Sequence, residues 1–135
     1  MFLLDTNTCI QILNGTSPAV AERLSQHNPV ELFLCSIVKA ELLYGARHSQ
    51  RVTENLALLD RFFAPFISLP FDDRCAGQYG QIRAELAQQG CLIGPNDLLI
   101  SAIARTHDLT IVTHNYQEFA RVPNLRVEDW FTEGS

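Results

Sequence analysis

Lysine is almost missing from this chain: Lys39 is the only one among the 10 basic residues of the 135. The other basic residues are arginines, whose planar fork suits phosphate, carboxylate and interface pairing. Positive charge is short overall, 10 basic against 15 acidic side chains, for a formal net charge of −5. That excludes a domain gripping nucleic acid by general electrostatics, which would be basic. It leaves room for a nucleic-acid enzyme whose acids bind metal. Cys9, Cys35, Cys75 and Cys91 make no C-x-x-C pair, and no histidine stands at finger spacing, so zinc is not expected. Their apolar neighbours suggest small buried hydrophobes, or free thiols in a reducing cytoplasm. Apolar runs such as Leu32-Phe33-Leu34-Cys35 stop far short of the ~18 residues a membrane helix needs. Met1 to Asp5 has no basic region and no cleavage site, unlike a signal peptide. Repeats, low-complexity tracts and linker-like shifts are missing too. A single domain over residues 1–135 is expected, cytoplasmic and away from membranes, with a few disordered residues after Trp130.

What is present is a well-supplied core: 47% hydrophobic and 19% charged residues. Phe2-Leu3-Leu4 is a continuous apolar run that suits a buried parallel strand. Asp5 or Thr6 then caps a helix to about Leu13, broken by Asn14-Gly15. Ser17-Pro18 opens the next helix, with serine as cap and proline at the first position; Asn28-Pro29 ends it. Leu32 to Cys35 reads as a second strand. A helix capped by Ser36 follows, loosened or ended at Gly45. A further helix is predicted from about Thr53 to Phe62, and a third strand from Phe66 to Leu69. Asp72 or Asp73 caps a helix to about Gln89. After a Gly/Pro-punctuated loop, Asn96 caps a strongly apolar helix, Leu98 to Ala104. Thr110 to Thr113 is a strand, Tyr116 to Phe119 a helical turn, and Arg126-Val127 an edge strand. This alternation predicts an α/β fold, a mostly parallel central sheet flanked by helices. Function in such folds gathers where the carboxyl ends of strands open into a crevice.

Three acids stand at or near those junctions. Asp5 ends the first strand, and Thr6 and Asn7 add polar groups beside it; helix capping is the competing role. Glu41 sits among Val38, Ala40, Leu42 and Leu43, where burying an unpaired acid is costly; a solvent face shared with Lys39 is the alternative. Asp97 opens the most apolar helix, with Ser101 one turn on and on its face; it needs a partner, and no lysine is near. His114 and Asn115 follow the strand that ends at Thr113, with Glu118 a turn beyond; Asn115 also suits a plain turn. Converging acids repel unless a cation neutralises them. An oxygen-only cluster suits Mg²⁺ or Mn²⁺, and such an ion can bridge a phosphate and activate water.

Four blocks in order carry a resemblance: Leu3-Leu4-Asp5-Thr6-Asn7, Val38-Lys39-Ala40-Glu41-Leu42-Leu43-Tyr44-Gly45, Ile93-Gly94-Pro95-Asn96-Asp97-Leu98-Leu99-Ile100 and Ile111-Val112-Thr113-His114-Asn115. They resemble the blocks of PIN-domain ribonucleases, and nearly the whole chain looks like a VapC-type toxin of a bacterial toxin–antitoxin pair. The resemblance implies a compact PIN-like α/β fold, Mg²⁺-dependent endoribonuclease activity and inhibition by a cognate VapB-type antitoxin. It also implies a homodimer, a hetero-oligomer with the antitoxin, and operator DNA contacted only through the antitoxin. Asp5, Glu41 and Asp97 fall on the family's acidic positions. Its fourth position, often an acid, is Asn115 here, with Glu118 as the substitute; this leaves one metal or two open. Thr6, Asn7, Ser101 and Thr113 would support them. The branch resembled most cuts initiator tRNA in the anticodon stem-loop.

Two other functions compete. Asp5-Thr6-Asn7-Thr8 resembles the nucleophile motif D-x-D-x-T of haloacid-dehalogenase-type phosphatases, but Asn7 cannot supply a proton there. A catalytically impaired PIN domain that binds RNA or a partner is the other, favoured by Asn115 and opposed by the intact Asp5, Glu41 and Asp97. With no paired serine, cysteine or histidine nucleophile in the blocks, the expected reaction is one-step hydrolysis leaving a 5′-phosphate and a 3′-hydroxyl. His107 and His114 are expected at the surface, and Arg83 or Arg105 to position phosphates.

Overall fold

The structure is a computed structural model and describes residues 1–131. The disorder expected after Trp130 concerns mainly residues 132–135, outside that range; Phe131 packs against the His114 ring.

The elements run β1 (Phe2–Leu4), α1 (Thr6–Asn14), α2 (Pro18–Ser25), β2 (Leu32–Cys35), α3 (Ser36–Arg47), α4 (Val52–Phe63), β3 (Ile67–Leu69), α5 (Asp73–Gln88), α6 (Pro95–Thr106), β4 (Thr110–Val112), α7 (Tyr116–Phe119) and β5 (Val127–Glu128). A 3-10 turn, Pro29–Glu31, leads into β2. All strand pairs are parallel, in the order β3-β2-β1-β4-β5. Leu3 pairs with Ile111 and Leu4 with Val112. Leu3, Leu4, Leu34, Ile111 and Val112 are fully buried, as expected of a sheet covered on both faces.

Several local signals act as read. Asp5 caps α1 by accepting from the Thr8 N–H at 2.9 Å. Ser17 caps α2, and Asp72 caps α5. Gly15 ends α1 at φ 62°, a left-handed conformation that glycine adopts at little cost.

Other boundaries differ. Ser36 is not a cap: β2 runs straight into α3 with extended Cys35 as the junction and no side-chain capping bond. Gly45 does not end α3, which continues to Arg47; an exposed mid-helix glycine costs only about 1 kcal/mol. Helix α2 stops at Ser25, and Asn28 instead forms a capping box with Glu31 over the 3-10 turn. Asn96 does not cap α6 either: Gly94 is the junction and Pro95 the first helical residue, the position whose missing N–H costs nothing.

The sheet order reverses direction beside β1. Chain leaving β1 and β2 goes one way, and β4 returns on the other side of β1. That reversal opens a crevice at the strand carboxyl ends. Helix α6 lies against α5, and Ile82, Leu86, Ile93, Leu98, Ala102 and Val122 form a second apolar cluster there. The N-terminus of α6 is thereby set at the same end.

Candidate active site

Asp5, Thr6, Asn7, Glu41, Asp97, Asn115 and Phe119 line one cleft of about 240 Å³. Four elements supply it: the β1–α1 junction, the second turn of α3, the first turn of α6, and the chain after β4. The three acids read from sequence therefore meet, although 36 residues separate the first two and 56 the next pair (41 − 5; 97 − 41).

Asp5 is 5% exposed. Burial pushes its carboxyl above the usual range, while hydrogen bonds from Thr113 and Thr8 pull it back. Thr113, fully buried, also accepts from the Asn115 N–H at 2.9 Å. The Thr8 hydroxyl donates to the Val112 carbonyl at 3.1 Å, tying α1 to β4. Thr8 was missed in sequence; its spacing three residues after a capping acid was the available signal. Glu41, half-buried, accepts from the Thr6 hydroxyl at 2.7 Å.

The partner that Asp97 needs is Glu118, another acid. Burial first, then the hydrogen bond and charge of Glu118, push Asp97 up to about 7. Glu118 is held low, chiefly by the Gly94 N–H at 2.8 Å, and also by Asn115. Of the two carboxyls, Asp97 is thus the one that takes up a proton first as pH falls. The Asn115 amide donates to the other Glu118 oxygen. Asn115 is at the cleft, as read, and its side chain does not cap α7. Gly94 went unnoticed as a donor; the Gly-Pro step before an apolar helix was its signal.

Arg105 does not serve the cleft. It lies eight residues beyond Asp97 (105 − 97) and bonds to the Pro123 carbonyl and Gln81. Arg83 is bonded to the Tyr79 hydroxyl. His114, exposed, pairs with Asp129 at 3.1 Å, and His107 closes the far end of α6.

The donor set fits a hard divalent cation. Its oxygens are carboxylates, amides and hydroxyls, the ligand chemistry of Mg²⁺ or Mn²⁺. The nearby thiol of Cys9 is pushed far up by burial and Asp5, so it offers no soft thiolate. The buried Ser101 hydroxyl, one turn after Asp97, has no hydrogen-bond partner among the described residues. Among the described residues no three or more acidic, histidine or cysteine side chains are gathered closely enough to hold a metal ion by themselves.

The sequence profile of the PIN domain matches residues 2–125. The chain belongs to the PIN-domain family. Relatives at comparable length include the tRNA(fMet)-specific endonuclease VapC of Shigella flexneri, 43% identical over 96% of this chain and 97% of that protein. Its namesake from Salmonella typhimurium is 40% identical over the same shares. Among solved structures, the DNA-bound VapBC of Salmonella typhimurium superposes with a TM-score of 0.89 at 40% identity, covering 96% of this chain and 97% of that one. VapBC2 of Rickettsia felis, bound to a promoter DNA fragment, gives 0.87 at 37% identity, covering 96% and 98%. This PIN domain is therefore no haloacid-dehalogenase-type phosphatase, despite Asp5-Thr6-Asn7-Thr8. Among its described residues no helix is long and apolar enough to cross a membrane.

Proposed function

We propose that this PIN domain is an endoribonuclease toxin that hydrolyses RNA phosphodiester bonds with a divalent cation and is inhibited by a VapB-type antitoxin. The observation that carries the reading is the meeting of Asp5, Glu41 and Asp97 in one cleft at the sheet's switch point. Asp5 and Asp97 would hold Mg²⁺, or Mn²⁺ in its place, with Glu41 completing the set. A cation bound there supplies Lewis-acid polarisation of the phosphate and a nucleophilic water at neutral pH.

The chain's own residues prepare that chemistry. Thr8 and Thr113 fix the Asp5 carboxylate, and Thr6 fixes Glu41. Glu118 acts on Asp97 and binds Gly94, so it orients the start of α6. Asn115 and Asn7 offer neutral amides at the rim. Glu118 keeps a fourth acid beside Asp97 where Asn115 lacks one, which disfavours the impaired-enzyme alternative.

The substrate class follows from relatives named as tRNA(fMet)-specific endonucleases: tRNA, with initiator tRNA first. The partners follow from solved VapBC complexes, two of them with DNA: an antitoxin, a hetero-oligomer with it, and operator DNA through it. A toxin homodimer and a cytoplasmic location complete the reading.

The test is cleavage of an in vitro initiator tRNA transcript by the purified chain. Cutting in Mg²⁺ with 5′-phosphate and 3′-hydroxyl ends, abolished by EDTA, is expected. Full activity in EDTA, or 2′,3′-cyclic phosphate ends, would overturn the hydrolytic mechanism.

A further inference from the structure

Beside the acid cleft lies a second depression of about 490 Å³, lined by Thr6, Ile37, Ala40, Glu41, Tyr44 and Asn96. Thr6 and Glu41 line both, so the two are continuous. We propose that Tyr44 and Asn96 form a nucleobase subsite, where one base flanking the cleaved bond stacks on the Tyr44 ring and meets the Asn96 amide at its edge. The inference rests on the endoribonuclease reading above.

Tyr44 is 68% exposed, a large aromatic surface left uncovered one turn after Glu41. Its ring lies nearly parallel to the His48 ring, with centroids 5.7 Å apart and planes 14° apart. His48 thus lies alongside the ring, and most of the Tyr44 surface stays open to stacking. Aromatic side chains bind unpaired bases this way, because every base has a π-face.

Asn96 stands on the other wall, exposed in the first turn of α6. Since Gly94 and Pro95 open that helix, Asn96 is released from capping. Its amide has no side-chain partner among the described residues. An amide carries both donors and an acceptor, which suits the mixed polar edge of a base.

The lining also says which part of a nucleotide enters. Ile37 and Ala40 are apolar, no lining residue is cationic, and Glu41 is acidic. With no cation proposed on this side, the Glu41 charge disfavours a phosphate here without opposing a neutral ring; in the acid cleft the proposed cation offsets that charge. The volume lies within the roughly 300–1,000 Å³ of small-molecule pockets. A base therefore fits here, while its phosphate points to the acid cleft.

The test uses the full chain in Mg²⁺ with an initiator tRNA transcript, and the same transcript carrying an abasic residue on either side of the cut. Base stacking predicts that Tyr44→Ala lowers kcat/KM on the order of 5- to 150-fold, mainly through KM. Tyr44→Phe, which keeps the ring, should recover most of what Tyr44→Ala loses. One abasic position should slow the wild type by a similar factor and Tyr44→Ala no further. Asn96→Ala should relax the base preference at that position. Unchanged kcat/KM for Tyr44→Ala, or additive losses with the abasic transcripts, overturns the subsite. So does a wild-type dimer that becomes a monomer in Tyr44→Ala, because the face then belongs to a second copy. If the wild type cuts no transcript, the ribonuclease reading falls and the subsite falls with it.

Discussion

Asp5 has two jobs that a pair of substitutions can separate. Its Oδ1 accepts from the Thr8 N–H at 2.9 Å and so caps α1. Its charge, buried to 5% exposure near Glu41, belongs to the cleft. Asn caps about as well as Asp, while losing a cap to Ala costs about 1 kcal/mol. Asp5→Asn therefore keeps the cap and removes the charge; Asp5→Ala removes both. Burial raises the folded-state pKa of Asp5, so its ionised form weighs against folding above that pKa. At pH 8 in EDTA, Asp5→Asn should unfold at or above the wild-type Tm. Asp5→Ala should melt lower than Asp5→Asn by about 3–5 °C, the shift that 1 kcal/mol gives a domain of this size. Both should lose RNA cleavage in Mg²⁺, by at least about 100-fold if Asp5 holds the cation that activates water. The assays are thermal unfolding by circular dichroism and transcript cleavage. Wild-type cleavage by Asp5→Asn would refute the ligand role. Melting of Asp5→Asn at or below Asp5→Ala would refute the separation of cap and charge.

Asp97 has a folded pKa of about 7 against an ordinary 3.8, so the folded state holds the extra proton between them, and stability without metal should fall as pH rises from about 4 to about 7. Thermal unfolding in EDTA across that range should show the fall, Mg²⁺ should reverse it more at pH 8 than at pH 5, and Asp97→Asn should flatten it. Removing the neighbouring charge by Glu118→Gln should move the fall to lower pH. The groove lined by Ile10, Leu13, Leu42, Leu58 and Leu59 borders Glu41, and an antitoxin segment laid there would reach the acids with an arginine or lysine. Leu58→Glu, at a 40% exposed position, should then weaken antitoxin binding at least about tenfold by calorimetry while transcript cleavage persists.

The parts of this fold legible in the sequence are those written locally. The strand at Leu32–Cys35 and the turn at Tyr116–Phe119 have their expected bounds, because an apolar run and a short polar-led turn are complete signals. Caps were legible where one side chain does the work, as at Asp5, Ser17 and Asp72. They were illegible at Cys35 and Gly94, where backbone geometry starts the helix without a side-chain bond. Ser36 and Asn96 have the right chemistry for a cap and stand one and two residues too late. The site was legible as a list of acids, since each is polar where its neighbours are apolar. The Asp97–Glu118 pair was not legible, because the contact depends on β4 returning beside β1. Sequence could only say that Asp97 needed a partner, and a cation was the natural expectation.

The distribution of acids also explains how a chain of net charge −5 can keep a negative cleft and a stable fold. Asp5 takes the Thr8 N–H at the start of α1, and Glu118 takes the Gly94 N–H at the start of α6. Asp97 lies in the first turn of α6. Helix N-termini carry partial positive charge and unpaired N–H groups, so three of the four acids sit where the backbone offsets their charge. Glu41 is the exception, inside α3, and it takes a hydroxyl hydrogen bond from Thr6 instead. These offsets are partial: Asp97 still keeps a proton to about pH 7. What the backbone leaves uncompensated would favour a cation, either a metal ion in the proposed cleavage or a basic side chain of the proposed inhibitor.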